Sequence, residues 1–563
     1  MSQRSNNERR PPLAEFIVVG LIMLTAILLR IDYLNEYLTE FPDARHPLND
    51  ARMYWEMGRE IYQQGVLLPN EGPYYQAPLY SYALALLHHA GIHRIESVLR
   101  IQGFIGVFSV FLVYLIARMT LPWRWACAPA LLYAISHYAL FFESKLLAAA
   151  LGNHLFLWFA FFYILWIKRQ KIGWLIAGAF IYSLAVLCRA NLIFALPFLI
   201  LHVSGPWRPF LLWRKNLSKR LALAFIFTSV FLIGASPAAL RNYFIGGSFV
   251  PISANSGVTL YMGTNSRAQG GLGPVEGLSN DIEQQKFGSI ELASKLAGKK
   301  LSPSEASSFW IRKTEAWIVE NPSEFLVLEV KKLLWAFYVE PPAVNYSAHF
   351  EMQRLPFLRV LSWFTALALF LGILGLPFLL FYNSKRSDDR IPSFLLSLIA
   401  GYVLLSLVFY ASDRFLASML PIFALIGVMF IQKMCASSFK LIVLKEKTNF
   451  FRRCAILCLL LAAVMTFNPF LSWNKQREIG MGWYNLGVFY TNNKMDDDAF
   501  QAYLEAQKHI PDFPPLLLNL GVFYAERGDL ERSTQLFQRV MELDPDNTQA
   551  LKNLRINQQR MMP

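Results

Sequence analysis

The chain has 563 residues, of which 55% are hydrophobic and only 16% charged, and its formal net charge is +14. That is too apolar for a soluble protein of this length and describes a polytopic helical membrane protein. The positive balance does not point to nucleic acid, because the Lys and Arg residues sit in short clusters beside apolar runs rather than on one folded face.

The first apolar run, 13–31, follows Arg9 and Arg10, lacks a small-residue cleavage site and is longer than a signal-peptide core. It reads as a retained first span. "LNDARMYWEMGREIYQQG", residues 48–65, comes next: an amphipathic helix that begins with an acid, Asp50. The apolar stretch from Pro78 to Ile92 is only ~15 residues long and reads as a helix lying on the surface, not crossing. Residues 33–97 are therefore a first outer loop carrying two surface helices. Further spans are predicted at 99–117, 125–141, 146–167, 172–188, 191–207, 221–239, 356–382, 391–411, 414–432 and 454–471. Each approaches or exceeds the ~17–25 residues that cross a hydrocarbon core.

Charge sets the sidedness. With 78–92 kept out of the membrane and the N-terminus cytoplasmic, five basic clusters fall inside: Arg118/Arg124, Lys168/Arg169/Lys171, 208–220, 385–390 and 433–453. Letting 78–92 cross would put all five outside. The favoured topology has about 11 spans, in the plasma (bacterial inner) membrane. The predicted divisions are an N-terminal membrane region 1–239, an extracytoplasmic loop domain 240–355, C-terminal spans 356–471 and an extracytoplasmic tail 472–563. The five cysteines lie in or beside apolar runs and form neither a disulfide framework nor a CxxC pair.

In the polar segment, "SPSE" at 302–305 and "NPSE" at 321–324 each place a capping residue, then Pro at the first helical position, then Glu. They predict helices over 303–320 and 322–338, with Trp310, Trp317, Leu326, Leu333 and Trp335 on apolar faces. The Gly-rich stretch upstream, from Gly246 to Gly273, lacks helical period and reads as a long ordered loop, of a length that is usually functional. In the tail, "WYNLGVFY" at 483–490 recurs as "LLNLGVFY" at 517–524, and Asn485, Asn519 and Asn553 are spaced 34 residues apart. That period, with the small residues and prolines in phase, resembles the tetratricopeptide repeat. Arg555 stands where the third repeat would need Gly, so the last segment is expected to be a capping helix. The repeats suit either a partner-binding groove or a folded spacer.

The pattern Asp50, Tyr54, Glu56, Arg59, Gly65, then an aromatic cluster and Pro78, resembles the first outer loop of GT-C-fold glycosyltransferases that use polyprenyl-phosphate sugars. Bacterial aminoarabinose transferases and protein O-mannosyltransferases are of this kind. "FFESKL" at 141–146, "LCRANLIFALP" at 187–197, "VEPPAVNY" at 339–346 and "SDRFLASMLP" at 412–421 extend the likeness over residues 10–430. The resemblance implies a GT-C-like fold, an active-site role for Asp50 and a second acidic position at Glu143. It also implies a polyprenyl-phosphate sugar donor. One departure stands out: where aminoarabinose transferases have an acid and a Lys before the Pro, this chain has Gln76 and Ala77.

Such a reaction needs a carboxylate to take the acceptor proton and cations to meet the departing phosphate. Asp50 is the candidate base, or else the N-cap of its helix. Glu143 is its helper, or a solvated loop acid, and His46 is either an aid to the base or a plain loop residue. Arg189, Arg241 and Arg414, at outer ends of spans, are candidates for the phosphate, or snorkel to headgroups. Lys331 and Lys332 are alternatives. Tyr54, Tyr75, Gln76, Glu340 and Tyr346 are candidate sugar- or acceptor-binding residues, while the tyrosines 74, 75, 80 and 82 also suit an interfacial belt. No ligand cluster commits the chain to a metal, which leaves a divalent ion open. The acceptor is a protein or a glycan, with the repeats favouring protein. Rival readings are an outer-leaflet oligosaccharide ligase or polymerase, a membrane scaffold acting through its repeats, and a transporter. Against the last, the spans are nearly free of charge, Asn153 and His154 being the main polar exception.

Overall fold

The computed structural model describes residues 11–68, 72–205, 217–278, 282–381, 390–435 and 475–561, and among these every regular element is helical. The chain divides into two compact units: Met1–Val344 with Arg359–Leu471, and Asn345–Leu358 with Ser472–Pro563.

The first unit runs α1 (Leu13–Glu40), α2 (Asn49–Gln64), α3 (Leu79–His89), α4 (Ile95–Arg118), α5 (Trp123–Ala134), α6 (His137–Glu143), α7 (Ala149–Arg169) and α8 (Ile172–Cys188). A 3-10 turn, Ala190–Ala195, leads into α9 (Leu196–Ser204) and α10 (Leu217–Phe244). The polar segment holds α11 (Ser256–Gly263), α12 (Ile282–Ala297), α13 (Pro303–Glu320) and α14 (Pro322–Ala336). After α15 (Ala348–Arg354), which belongs to the second unit, come α16 (Pro356–Phe381), α17 (Arg390–Val408) and α18 (Asp413–Cys435).

The protein is a multi-pass membrane protein. Seven described helices, α1, α4, α7, α10, α16, α17 and α18, are long and apolar enough to cross a bilayer, and α5 with α6, bent by 52° at their break, is apolar enough as a pair for a broken span or a re-entrant loop. The shorter α8 and the turn-plus-α9 segment coincide with two further expected spans. The expected span 454–471 lies outside the described residues. Over 78–92 the chain forms α3, 11 residues long, which at ~1.5 Å per residue is far too short to cross.

In the polar segment α13 begins as expected: the Ser302 hydroxyl accepts from Glu305 N while the Glu305 carboxylate accepts from Ser302 N. The second capping expectation needs correction. Asn321 makes no cap bond to α14; its side-chain amide donates to Trp317 O, 3.0 Å away, so it closes α13 instead. The Gly-rich stretch is also not wholly irregular, since residues 256–263 form α11. Val258 and Met262, one turn apart, bury against Trp310, and that shared core outweighs the weak local preference. The segment also reaches the bundle. The Tyr402 hydroxyl donates to Ala336 O at 2.5 Å. One turn earlier in α14, Lys332 donates to Leu407 O near the end of α17, so the end of α14 packs beside the end of that span.

The second unit contains α15 and five further helices: α19 (Lys475–Asn492), α20 (Asp496–His509), α21 (Pro514–Glu526), α22 (Leu530–Leu543) and α23 (Thr548–Met561). Ala499, Tyr503 and Ala506 of α20 bury against Leu516, Leu520 and Phe523 of α21, which stacks the two helix pairs into one core. The last helix, α23, covers the end of the stack, with Asn557 donating to Ser533 Oγ at 2.7 Å. At the other end α15 does the same. Phe350 lies against Gly482, where an added Cβ would come within 2.3 Å of its ring, and meets Trp483 edge-on at 5.3 Å. The residue one repeat after Gly482 is Leu516, which packs on α20. So α15 occupies the place that the second helix of a preceding repeat would fill.

Candidate active site

A cavity of about 360 Å³ opens among the ends of the first unit's helices. Its wall is built from the start of α2, the residues before α3, the α6–α7 junction, the turn after α8, residues 251–259 and the α17–α18 turn. The described basic residues Lys168, Arg169, Lys219, Arg220, Arg390 and Lys433 all lie toward the opposite ends of their helices. Three charged side chains line the cavity, Asp50, Arg189 and Arg414, amid apolar residues such as Leu147, Ile193, Phe194 and Phe415.

Asp50 sits in the first turn of α2, just after Asn49, which takes the left-handed conformation (φ 50°) that Asn tolerates. The carboxylate is 7% exposed. Its Oδ1 accepts from Gln76 Nε2 at 2.7 Å and its Oδ2 from Arg414 Nη1 at 3.0 Å. Arg414 also donates through Nη2 to the Tyr410 hydroxyl at 2.7 Å. Its Nε, and the Gln76 Oε1, are buried with no hydrogen-bond partner among the described residues. Tyr54 lies one turn on from Asp50, on the cavity wall. Burial first, and the Asp50 carboxylate second, push its hydroxyl above the ordinary tyrosine range, so it remains a protonated donor.

Arg189 terminates α8 in an extended conformation, which swings its side chain between α7 and α18. There Nη1 donates to Asn153 Oδ1 at 2.8 Å and to Ser418 Oγ, and Nη2 donates to Arg414 O at 2.9 Å. Asn153, a polar residue within an apolar span, thus serves as an anchor for this arginine.

The other sequence candidates fall elsewhere. Glu143 is buried in a two-pronged ion pair with Arg30, at 2.7 and 3.2 Å, and is not among the residues lining the cavity, so it is not a solvated loop acid. Arg241 donates to Leu67 O at 3.0 Å, Leu68 O at 2.8 Å and Gly72 O, pinning the turn between α2 and α3, and stacks on Tyr74. Tyr75 donates to Gln285 Oε1 at 3.2 Å. Tyr80 bonds Gln102, and Tyr82 bonds Val66 O. These tyrosines fasten the first loop and do not line the cavity. Glu340 is not on the cavity wall, Tyr346 belongs to the second unit, and His46 is exposed. Lys331 donates to Gln269, and fully buried Lys332 donates to Thr264 Oγ1 at 2.9 Å and Leu407 O at 2.8 Å while lying 2.7 Å from Glu329. Burial lowers the Lys332 ammonium's pKa and raises that of the Glu329 carboxyl.

Sequence reasoning missed Tyr410, Ser418 and Asn242. The Asn242 side chain accepts from Tyr74 N and donates to Val250 O and Ile252 O, seating the 251–259 wall beside the first loop. Its signal was an Asn directly after an arginine at the end of an apolar run. Among the described residues no three His, Cys, Asp or Glu side chains come together as a metal site.

Residues 514–547 match the tetratricopeptide repeat family. Over 88 residues the chain is 30% identical to Superkiller protein 3 of Schizosaccharomyces pombe, a stretch covering 15% of this chain and 6% of that protein. Among solved structures it is similar to the archaeal oligosaccharyltransferase AglB from Archaeoglobus fulgidus in complex with an inhibitory peptide and a dolichol-phosphate. That likeness has 14% identity and a TM-score of 0.43, and covers 87% of this chain and 59% of that one. The Archaeoglobus fulgidus oligosaccharyltransferase tethered to an acceptor peptide is similar at 16% identity and a TM-score of 0.43, over 87% and 58% of the two chains. The chain spans less than two-thirds of the length of these solved structures.

Proposed function

We propose that the protein is a membrane glycosyltransferase that moves a sugar from a polyprenyl phosphate to an acceptor hydroxyl at this cavity. The observation that carries the reading is the meeting of one carboxylate and two guanidinium groups on a single, otherwise largely apolar wall. The wall carries one net positive charge, which suits a donor with a single phosphodiester better than a diphosphate. The apolar remainder suits a prenyl chain.

In the reaction the acceptor oxygen attacks the anomeric carbon, and the bond from that carbon to the phosphate oxygen breaks. Its electron pair leaves with the polyprenyl phosphate. The acceptor proton passes to Asp50, a transfer that contributes roughly 10²–10⁴-fold. The phosphate gains the charge that Asp50 loses, and Arg414 with Arg189 stabilises it where it develops. Attack opposite the leaving group inverts the anomeric configuration. Gln76 and Tyr54 orient the carboxylate and the sugar, and Glu143 acts by holding α6 to α1.

The cavity faces the non-cytoplasmic side. Supporting this, basic residues cluster at the other helix ends, as expected of cytoplasmic loops. The predicted alternation of the spans supports the same side for the repeats, where they would serve a protein partner or acceptor. Deleting the gene and comparing envelope glycoconjugates by mass spectrometry tests the function. The expected result is loss of one sugar from a protein or glycan and accumulation of its polyprenyl-phosphate form. Unchanged profiles of both would overturn it.

A further inference from the structure

In the resting cavity Asp50 is not free to act as a base, because Arg414 Nη1 sits 3.0 Å from its Oδ2 and Gln76 Nε2 sits 2.7 Å from its Oδ1. Arg414 is itself incompletely used. Its Nε is buried without a partner among the described residues, although the side chain lines the cavity. A guanidinium is a planar fork with five donors and one positive charge, so it can turn from one anion to another while staying at the cavity wall. Its backbone is fixed independently of Asp50, since Arg414 O accepts from Arg189 and Arg414 N donates to Asp413 Oδ1 at 2.7 Å. The side chain can therefore change partner while the helix end stays in place.

We propose that Arg414 is a shared counterion: it masks Asp50 while the cavity is empty and turns to the phosphate of an incoming anionic lipid, thereby releasing the carboxylate. Donor binding arms the base, and the acceptor follows. The inference rests on the function proposed above and adds an order of events to it. It also explains why a lone carboxylate is tolerated at 7% exposure before substrate arrives, since an unpaired buried charge is costly.

If Asp50 and the phosphate compete for one guanidinium, removing the carboxylate's charge must strengthen phosphate binding, and only while Arg414 is present. The probe is undecaprenyl phosphate, titrated against the full-length protein in nanodiscs. Wild type is compared with Asp50→Asn, Arg414→Gln and the double variant. Asp50→Asn is expected to bind on the order of tenfold tighter and Arg414→Gln more weakly, with the Asp50→Asn gain abolished in the double variant. Should Arg414→Gln misfold, Arg414→Met replaces it; an uncharged side chain serves neither anion, so the gain again disappears. Equal affinity of wild type and Asp50→Asn, or a gain that survives loss of Arg414, overturns the shared-counterion account and leaves the glycosyltransferase reading standing. No binding by wild type removes both.

Discussion

Gly152 on α7 is the seat of Arg189: a Cβ at residue 152 would fall 2.6 Å from Arg189 Cδ and 2.7 Å from Cγ. The absence of a side chain there lets the arginine lie across α7 and reach Asn153 and Ser418. The seat and the anchor are neighbours on one helix turn, so the position of Arg189 is set by α7 as much as by its own backbone.

Gly152→Val is therefore expected to expel Arg189 from its slot while keeping the span apolar. Sugar transfer per folded molecule should fall by about 10²-fold, the loss typical of one oriented donor to developing charge. Transfer assayed beside a size-exclusion profile checks this; full activity with a normal profile would mean that Arg189 has no part at the cavity.

Glu143→Gln is expected to act on stability. It leaves the buried Arg30 guanidinium without its carboxylate, which costs about 3–5 kcal/mol, whereas charge-neutral replacement of both partners costs far less. Thermal unfolding of the detergent-purified protein should show the single variant well below the double Arg30→Met/Glu143→Leu. Reversal of that order would put Glu143 in the chemistry.

Phe350→Ala is expected to loosen the first helix pair of the repeats. The ring fills the space over Gly482 and meets Trp483, and truncation of a buried Phe costs about 3–5 kcal/mol. Hydrogen exchange in the full-length protein should speed up in α19 and α20 far more than in α22 and α23. Uniform exchange across the unit would show that α15 is not its cap.

Sidedness has its own test. In a cysteine-free background, Ser308→Cys on α13 and Thr491→Cys on α19 should react with a membrane-impermeant maleimide in intact spheroplasts. Gln170→Cys, between α7 and α8, should react only after permeabilisation. Labelling of positions 170 and 308 from the same side would contradict the proposed orientation.

Much of the fold was legible because it is written in local signals. Long apolar runs marked the span helices, Ser302-Pro303 opened α13, and the 34-residue period located the repeats. What escaped was held by contacts between distant residues. α11 exists because Val258 and Met262 meet Trp310, and no local pattern announces that core. Asp50 was legible as an acid at the mouth of a span, but its partner Arg414 lies 364 residues away. Glu143 and Arg241 look like Asp50 and Arg414 in sequence, each a charge at a helix end. Only packing separates the pair facing the cavity from the pair closed on Arg30 and on the carbonyls of Leu67, Leu68 and Gly72.

The most direct test of the central claim is complementation of the gene deletion with Asp50→Asn. The substitution keeps the shape of the side chain and removes its ability to take a proton. With the variant present in the membrane at the wild-type level, the sugar-bearing glycoconjugate is expected to recover at least roughly 10²-fold more slowly than with the wild-type chain. Recovery at the wild-type rate would contradict the assignment of Asp50 as the base and, with it, the active site described here.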